Sequence, residues 1–274
     1  MFSSNPFVTL SEVISPAMMQ GYIVLMVLLV VGGTILDMLH KKSAKYFFEN
    51  AKKAQKSAKR SVSSGEKMSI AASVLVNEVL TSGEFSNPRR RLSHLLTMYG
   101  TIIFIVTTAI MVFSPESTST LLPQLWHIGA LMLAVGGYWF WLFIRVDVSA
   151  EGLPWFRFER ADLFILSLLA TSTFALIWSF TGGGLSVFFA LFILSSTVLF
   201  GGVYWSKFAH MFFKPAAAHQ KKITVADGSR ENLPPDYDLT DPEVQRKFPD
   251  IPTYMGKNPP NMGLCIKAER PNHY

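Results

Sequence analysis

The chain has 274 residues, half of them hydrophobic and only 16% charged, with a mean hydropathy of +0.30 and a net charge of +6. Soluble domains carry about 25% charged residues, so the composition excludes an ordinary soluble enzyme and points to an all-α membrane protein. The single cysteine, Cys265, permits neither an intrachain disulfide nor a cysteine-held iron–sulfur cluster.

In chain order, residues 1–16 are a short lead ending at Pro16, and five apolar stretches follow near 17–39, 94–113, 124–144, 162–181 and 185–209. Each approaches or exceeds the ~20 residues that a helix needs to cross a bilayer. The first starts far from Met1 and has no basic flank before it, so it reads as a retained span and not a cleaved signal peptide. The expected architecture is a five-transmembrane-helix bundle. All 25 Lys and Arg residues fall on one set of alternate connections: 12 in 40–93, three in 145–161, Lys207, and nine from Lys214 onward. The positive-inside rule then places the N-terminus outside and the C-terminus in the cytoplasm. Anionic lipid on that side accounts for the positive charge without a nucleic-acid partner.

Four segments are expected. Residues 1–39 are the outside lead and first span, and 40–93 a basic cytoplasmic helical segment. Residues 94–212 form a four-span bundle, and 213–274 a cytoplasmic partner-binding tail. Within 40–93, the run "KKSAKYFFENAKKAQKSAKR" reads as a helix leaving the membrane, either with its lysines on lipid headgroups or simply solvated. "KMSIAASVLVNEVLTSG" repeats apolar residues at Ile70, Ala71, Val74, Leu75 and Val79, a helix with one packed face. Trp155, Phe156 and Phe158 suit the interface belt, and spans four and five form a tight hairpin over Gly182, Gly183 and Gly184. Gly136 with Gly137, and Gly201 with Gly202, allow close helix packing. From Pro215 the tail is rich in Pro, Asp and Tyr and shows no sustained period, so it cannot bury a core alone.

Two histidines stand at matched depth on different spans: His94 at the start of span two and His210 at the end of span five. Such a pair is what a bis-histidine haem b requires, with Arg90, Arg91 and Lys207 near its propionates. On helices, Thr97, Thr101 and Thr108 share the His94 face, while Val203 and Ser206 share that of His210. The competing reading is a pair of ordinary interface histidines. Trp126 with His127 is a candidate outer quinone site. Phosphate loops, HExxH, CxxC and G-x-S-x-G are all absent from the sequence, and five spans without a repeat argue against a transporter.

The stretches "VLVNEVLTSGEFSNPRRRLSHLLTMYG" and "YWSKFAHMFFKP" resemble the second and fifth spans of membrane cytochrome b subunits related to the nitrate reductase gamma chain and to quinone-interacting complexes. The resemblance covers roughly residues 70–215. It implies two haems held by two histidines on each of those spans. His94 matches the first and His210 the last. The other two are missing, with Phe104 and Ile105 where one would stand, so at most one haem b is implied. The whole chain resembles the membrane anchors associated with dissimilatory adenylylsulfate reductase. That resemblance implies a cytoplasmic flavin and iron–sulfur enzyme as partner, electrons passing to quinone, and a bacterial inner (cytoplasmic) membrane. The alternative is a cofactor-free structural anchor for the same enzyme.

Overall fold

A computed structural model describes residues 2–41, 43–83, 85, 87–115, 119–145, 158–159, 162–206, 210–230 and 241–247. Among these the regular structure is all helical. Four helices are long and apolar enough to cross a membrane: Pro16–His40, Pro88–Phe113, Leu121–Ile144 and Leu163–Phe180. The protein is therefore described as a multi-pass membrane protein. The chain divides into two compact units. One holds the described residues up to 43 and between 81 and 213, and the other those between 44 and 80 and from 214 onward.

The apolar unit begins with a short helix, α1 (Pro6–Ser11), started by Asn5, whose side chain accepts the Phe7 amide at 3.0 Å. Then come α2 (Pro16–Lys41) and α5 (Pro88–Phe113). Helix α6 (Leu121–Trp139) runs on as a widened π turn, Phe140–Ile144. Helices α7 (Leu163–Phe180) and α8 (Val187–Gly201) complete the unit. Helix α5 starts six residues before the apolar stretch, because Asn87 caps it and Pro88 occupies its first turn, where a missing N–H costs nothing. The three arginines therefore lie on the helix.

In lipid the hydrophobic effect does not drive helices together, so close van der Waals packing must do so. Helices α5 and α6 achieve it with glycine. A Cβ on Gly100 would stand 2.6 Å from the Leu133 amide nitrogen, and one on Gly129 would stand 2.7 Å from that of Phe104. A Cβ on Gly136 would meet the Ser93 carbonyl at 2.8 Å, and the Ser93 hydroxyl crosses the seam to the Gly136 carbonyl at 2.8 Å. Gly137 faces Leu169 of α7. The closeness expected at Gly136 and Gly137 is thus present; of the other pair, Gly201 meets only Leu29 at 3.7 Å, an ordinary contact, and a Cβ on Gly202 would meet Leu163 of α7 at 3.4 Å.

Beside this seam lies an aromatic core of Phe7, Phe104, Trp126, Trp178, Phe189 and Phe192. Phe7 of α1 meets Trp178 edge-on at 5.2 Å, and Asn5 donates to the Met111 carbonyl, so the lead is a plug and not a loose extension. Gly183, at φ +74, lets the α7–α8 turn close on Pro6. A second cluster joins Leu133, Leu168, Leu199 and Val203. Arg145, at the end of α6, pairs with Asp162, which opens α7, and lies over the Trp141 ring at 4.4 Å.

The fifth apolar helix is shorter than the 185–209 expected from hydropathy. Helix α8 has 15 residues, about 22 Å at 1.5 Å per residue. It stops because Gly202 closes back on the Val198 carbonyl at 2.8 Å and a 3-10 turn, Val203–Trp205, follows.

The second unit is polar. It contains α3 (Ser43–Lys56), α4 (Ser64–Val74) with a π turn over Leu75–Leu80, most of α9 (His210–Ala226), and the short α10 (Pro242–Lys247). Arg60 organises it, holding Glu66 through both nitrogens at 3.0 and 2.5 Å and donating to the Ala226 carbonyl at 2.6 Å. A cation there suits the negative end of α9. Lys222 pairs with Glu78 at 2.7 Å. The change of character expected at Pro215 falls inside α9. The Ala-rich, Lys-rich run behind that proline is strongly helix-forming and carries the helix to Ala226. The tail beyond 230, apart from 241–247, lies outside the described residues.

Candidate functional site

His94 lies on the second turn of α5, half-buried. Its Nδ1 and the Ser82 hydroxyl share a hydrogen bond of 2.9 Å, and its ring stands 4.9 Å from that of Phe85. Ser82 is fully buried and adopts φ +50, a left-handed conformation uncommon outside glycine. Arg91 donates Nε to the Thr81 carbonyl at 2.7 Å, and Arg90 lies 5.5 Å over Phe85. These three α5 side chains therefore latch the segment before the helix onto its first two turns. Fixing the ring through Nδ1 is also how proteins orient a metal-ligating histidine.

His210 opens α9, beyond the break that ends α8. It is not carried on the fifth apolar helix, and its side chain lies outside the described residues, as does the whole of Lys207. The expected helical face shared by Val203, Ser206 and His210 is not formed. Val203 sits in the 3-10 turn, packed against Gly33, and Ser206 is extended. The reason is the Gly201–Gly202 pair, which the hydropathy of 185–209 conceals.

The threonine stripe of α5 is satisfied locally. Thr97 and Thr101 donate to the carbonyls four residues back, at 2.9 and 2.7 Å, and Thr108 does the same at 2.6 Å. Hydroxyls spent this way leave the helix exterior effectively apolar. A haem between α5 and the fifth helix needs two axial nitrogens, and the described residues supply one, on α5. Among them no three of His, Cys, Asp and Glu converge to hold a metal ion.

Trp126 and His127 are both buried, at 0% and 2% exposure. The Trp126 indole donates to Thr108 Oγ1 at 2.8 Å. His127 Nδ1 stands 2.6 Å from the Pro123 carbonyl, which can only accept, so Nδ1 carries the proton. Its Nε2 then accepts from the Ser179 hydroxyl at 2.8 Å. Every polar atom of this pair has a partner within the chain. Here they tie α6 to α5 and α7.

No protein family, curated protein or solved structure matches the chain.

What the geometry offers instead is surface. On α3, Lys45, Lys52, Lys53 and Lys56 are exposed, together with Tyr46 at 58% and Phe48 at 62%. On the other side Ala54 is buried, and Phe47 and Ala51 are half-buried. The Lys- and Ala-dense run identified this helix in the sequence.

Proposed function

We propose that this protein is a five-span subunit of the bacterial cytoplasmic membrane that docks a cytoplasmic flavin and iron–sulfur oxidoreductase of the adenylylsulfate reductase type. The observation that carries the docking is the helical, cation-rich face that the described residues of the second unit present, in a chain that is otherwise apolar. Large aromatics left exposed among lysines on one of its helices mark an interaction surface. The resemblance of the whole chain to the membrane anchors associated with adenylylsulfate reductase supplies the partner's class. Charge asymmetry of the connecting segments supports five crossings, with α8 and the 3-10 turn after it as the last, and puts the C-terminal side in the cytoplasm.

A second reading, in which the subunit also carries electrons to quinone through one haem b at His94 and His210, draws support from the orientation of His94 by Ser82. When bound, such a haem would supply one-electron transfer. This chain's own contribution would be to hold the His94 ring at a fixed angle and place Arg90 and Arg91 beside it.

Membrane flotation tests the docking. The soluble enzyme should float with membranes that contain the full chain and stay at the bottom with membranes that lack it. A dithionite-reduced minus oxidised spectrum of the purified chain, beside His94→Ala, separates the readings. A b-type band lost in the variant selects the electron-transfer form, and a flat spectrum from haem-replete, folded protein selects the anchor.

A further inference from the structure

The arginine-bearing end of the α5–α6 pair carries a cleft that plays no part in the docking proposed above. Its volume is about 170 Å³, and Asn87, Arg89, Trp139, Phe143 and Ile144 line it. The end of α5 itself is already spoken for, since the Asn87 side chain accepts the Arg89 and Arg90 amides at 2.9 and 3.3 Å. Arg90 is engaged by Phe85 and Arg91 by the Thr81 carbonyl. Among the described residues, neither the Arg89 guanidinium nor the Trp139 indole N–H has a hydrogen-bond or ion-pair partner.

The apolar wall comes from the π turn, where the Arg145 amide closes on the Phe140 carbonyl at 2.7 Å. Within that turn Phe143 is 70% exposed and Ile144 only 7%. Such widened turns recur at functional sites. A planar cation and an indole donor thus stand at the end of two apolar helices, beside an outward-facing phenyl ring. That combination fits an amphiphile with an anionic oxygen head and an apolar tail. The cleft is smaller than the roughly 300–1,000 Å³ that encloses a whole small-molecule ligand, so it takes a head and leaves the tail outside.

We propose that this cleft binds the phosphodiester of an anionic phospholipid. The Arg89 fork takes the two non-bridging phosphate oxygens, the Trp139 N–H donates to one of the same two, and an acyl chain lies along Phe143. A bound lipid here fixes the depth of the α5–α6 pair in the bilayer.

Delipidated full-length protein in mild detergent is titrated with phosphatidylglycerol, phosphatidylcholine and inorganic phosphate, and bound copies are read by native mass spectrometry. Phosphatidylglycerol should bind most tightly. Losing a charge-assisted pair should weaken it about tenfold in Arg89→Gln. Arg89→Lys, which keeps charge but not the fork, should fall between Arg89→Gln and the parent. Lys67→Gln, which removes one exposed charge from α4, should match the parent, and unchanged helical circular dichroism verifies folding. Equal losses in Arg89→Gln and Lys67→Gln would reduce the effect to general attraction and overturn the site. Equal affinity for phosphatidylcholine, or competition by free phosphate at matched concentration, would overturn the assignment to an anionic lipid.

Discussion

Placing a single methyl group on the α5–α6 seam should push the two helices apart. In Gly100→Ala the new Cβ would sit 2.6 Å from the Leu133 amide nitrogen and 2.8 Å from the Gly129 carbonyl oxygen. Ordinary contact needs about 3.5–4.0 Å, so the shortfall approaches 1 Å against backbone atoms that no rotamer change can move. Overpacking of this kind costs about 1–3 kcal/mol, and rigid neighbours put this site near the top of that range. Alanine recovers about 1 kcal/mol of helix propensity over glycine, leaving a net loss of about 2 kcal/mol. Gly21 of α2 is the matched control, because nothing lies within 4 Å of a Cβ built there. Gly21→Ala should be neutral or stabilising by up to about 1 kcal/mol. The two variants should therefore separate by about 2–3 kcal/mol in reversible unfolding followed by circular dichroism in mixed micelles. Gly100→Ala combined with Gly129→Ala should cost less than the sum, since one separation of the seam relieves both clashes. Equal stability of Gly100→Ala and Gly21→Ala would refute the close-packed seam.

Three other changes test separate parts of the molecule. Asp162→Asn strips the mostly buried Arg145 guanidinium of its carboxylate and should destabilise the bundle by about 2–4 kcal/mol, whereas Arg145→Met with Asp162→Leu should recover much of that in the same unfolding assay. Ser82→Ala removes the hydroxyl that His94 holds, so limited proteolysis should cut between residues 81 and 87 faster than in the parent, and His94→Ala should do the same. The hydrogen bonds from Arg60, and then its charge, hold the Glu66 carboxyl below the usual carboxylate range. The pair's contribution is therefore full above the ordinary glutamate value and is lost as pH falls through the depressed one. Glu66→Gln should be less stable than the parent near neutrality and converge with it in acid, as followed by amide exchange in residues 59–66.

Hydropathy located the four long spans because a run of some twenty apolar residues has few other uses in a chain. It overran the fifth because Val203, Tyr204 and Trp205 continue the hydrophobic run past the end of the helix, and the break rests on the backbone of Gly202. Gly100 and Gly129 stand seven or more residues from the paired glycines that drew notice, and their partnership exists only across two helices. The lead's role as a plug was hidden for the same reason, since Phe7 and Asn5 act through contacts with α5 and α7. His94 was visible as a polar residue among apolar ones. Its bond to Ser82, twelve residues earlier, required a left-handed serine that no pattern announces. Trp126 and His127 looked like a pair reaching for a ligand because their partners, Thr108 and Ser179, lie on other helices.

The docking claim meets its most direct test in a binding titration. The full chain is reconstituted in nanodiscs and immobilised, and purified adenylylsulfate reductase is passed over it at rising concentration and two salt levels. Saturable binding at micromolar or lower concentration, weakened by salt and lost when Lys45, Lys52, Lys53 and Lys56 become Glu, is the predicted result. No binding to the intact chain, or binding that ignores those four charges and the salt, would contradict it.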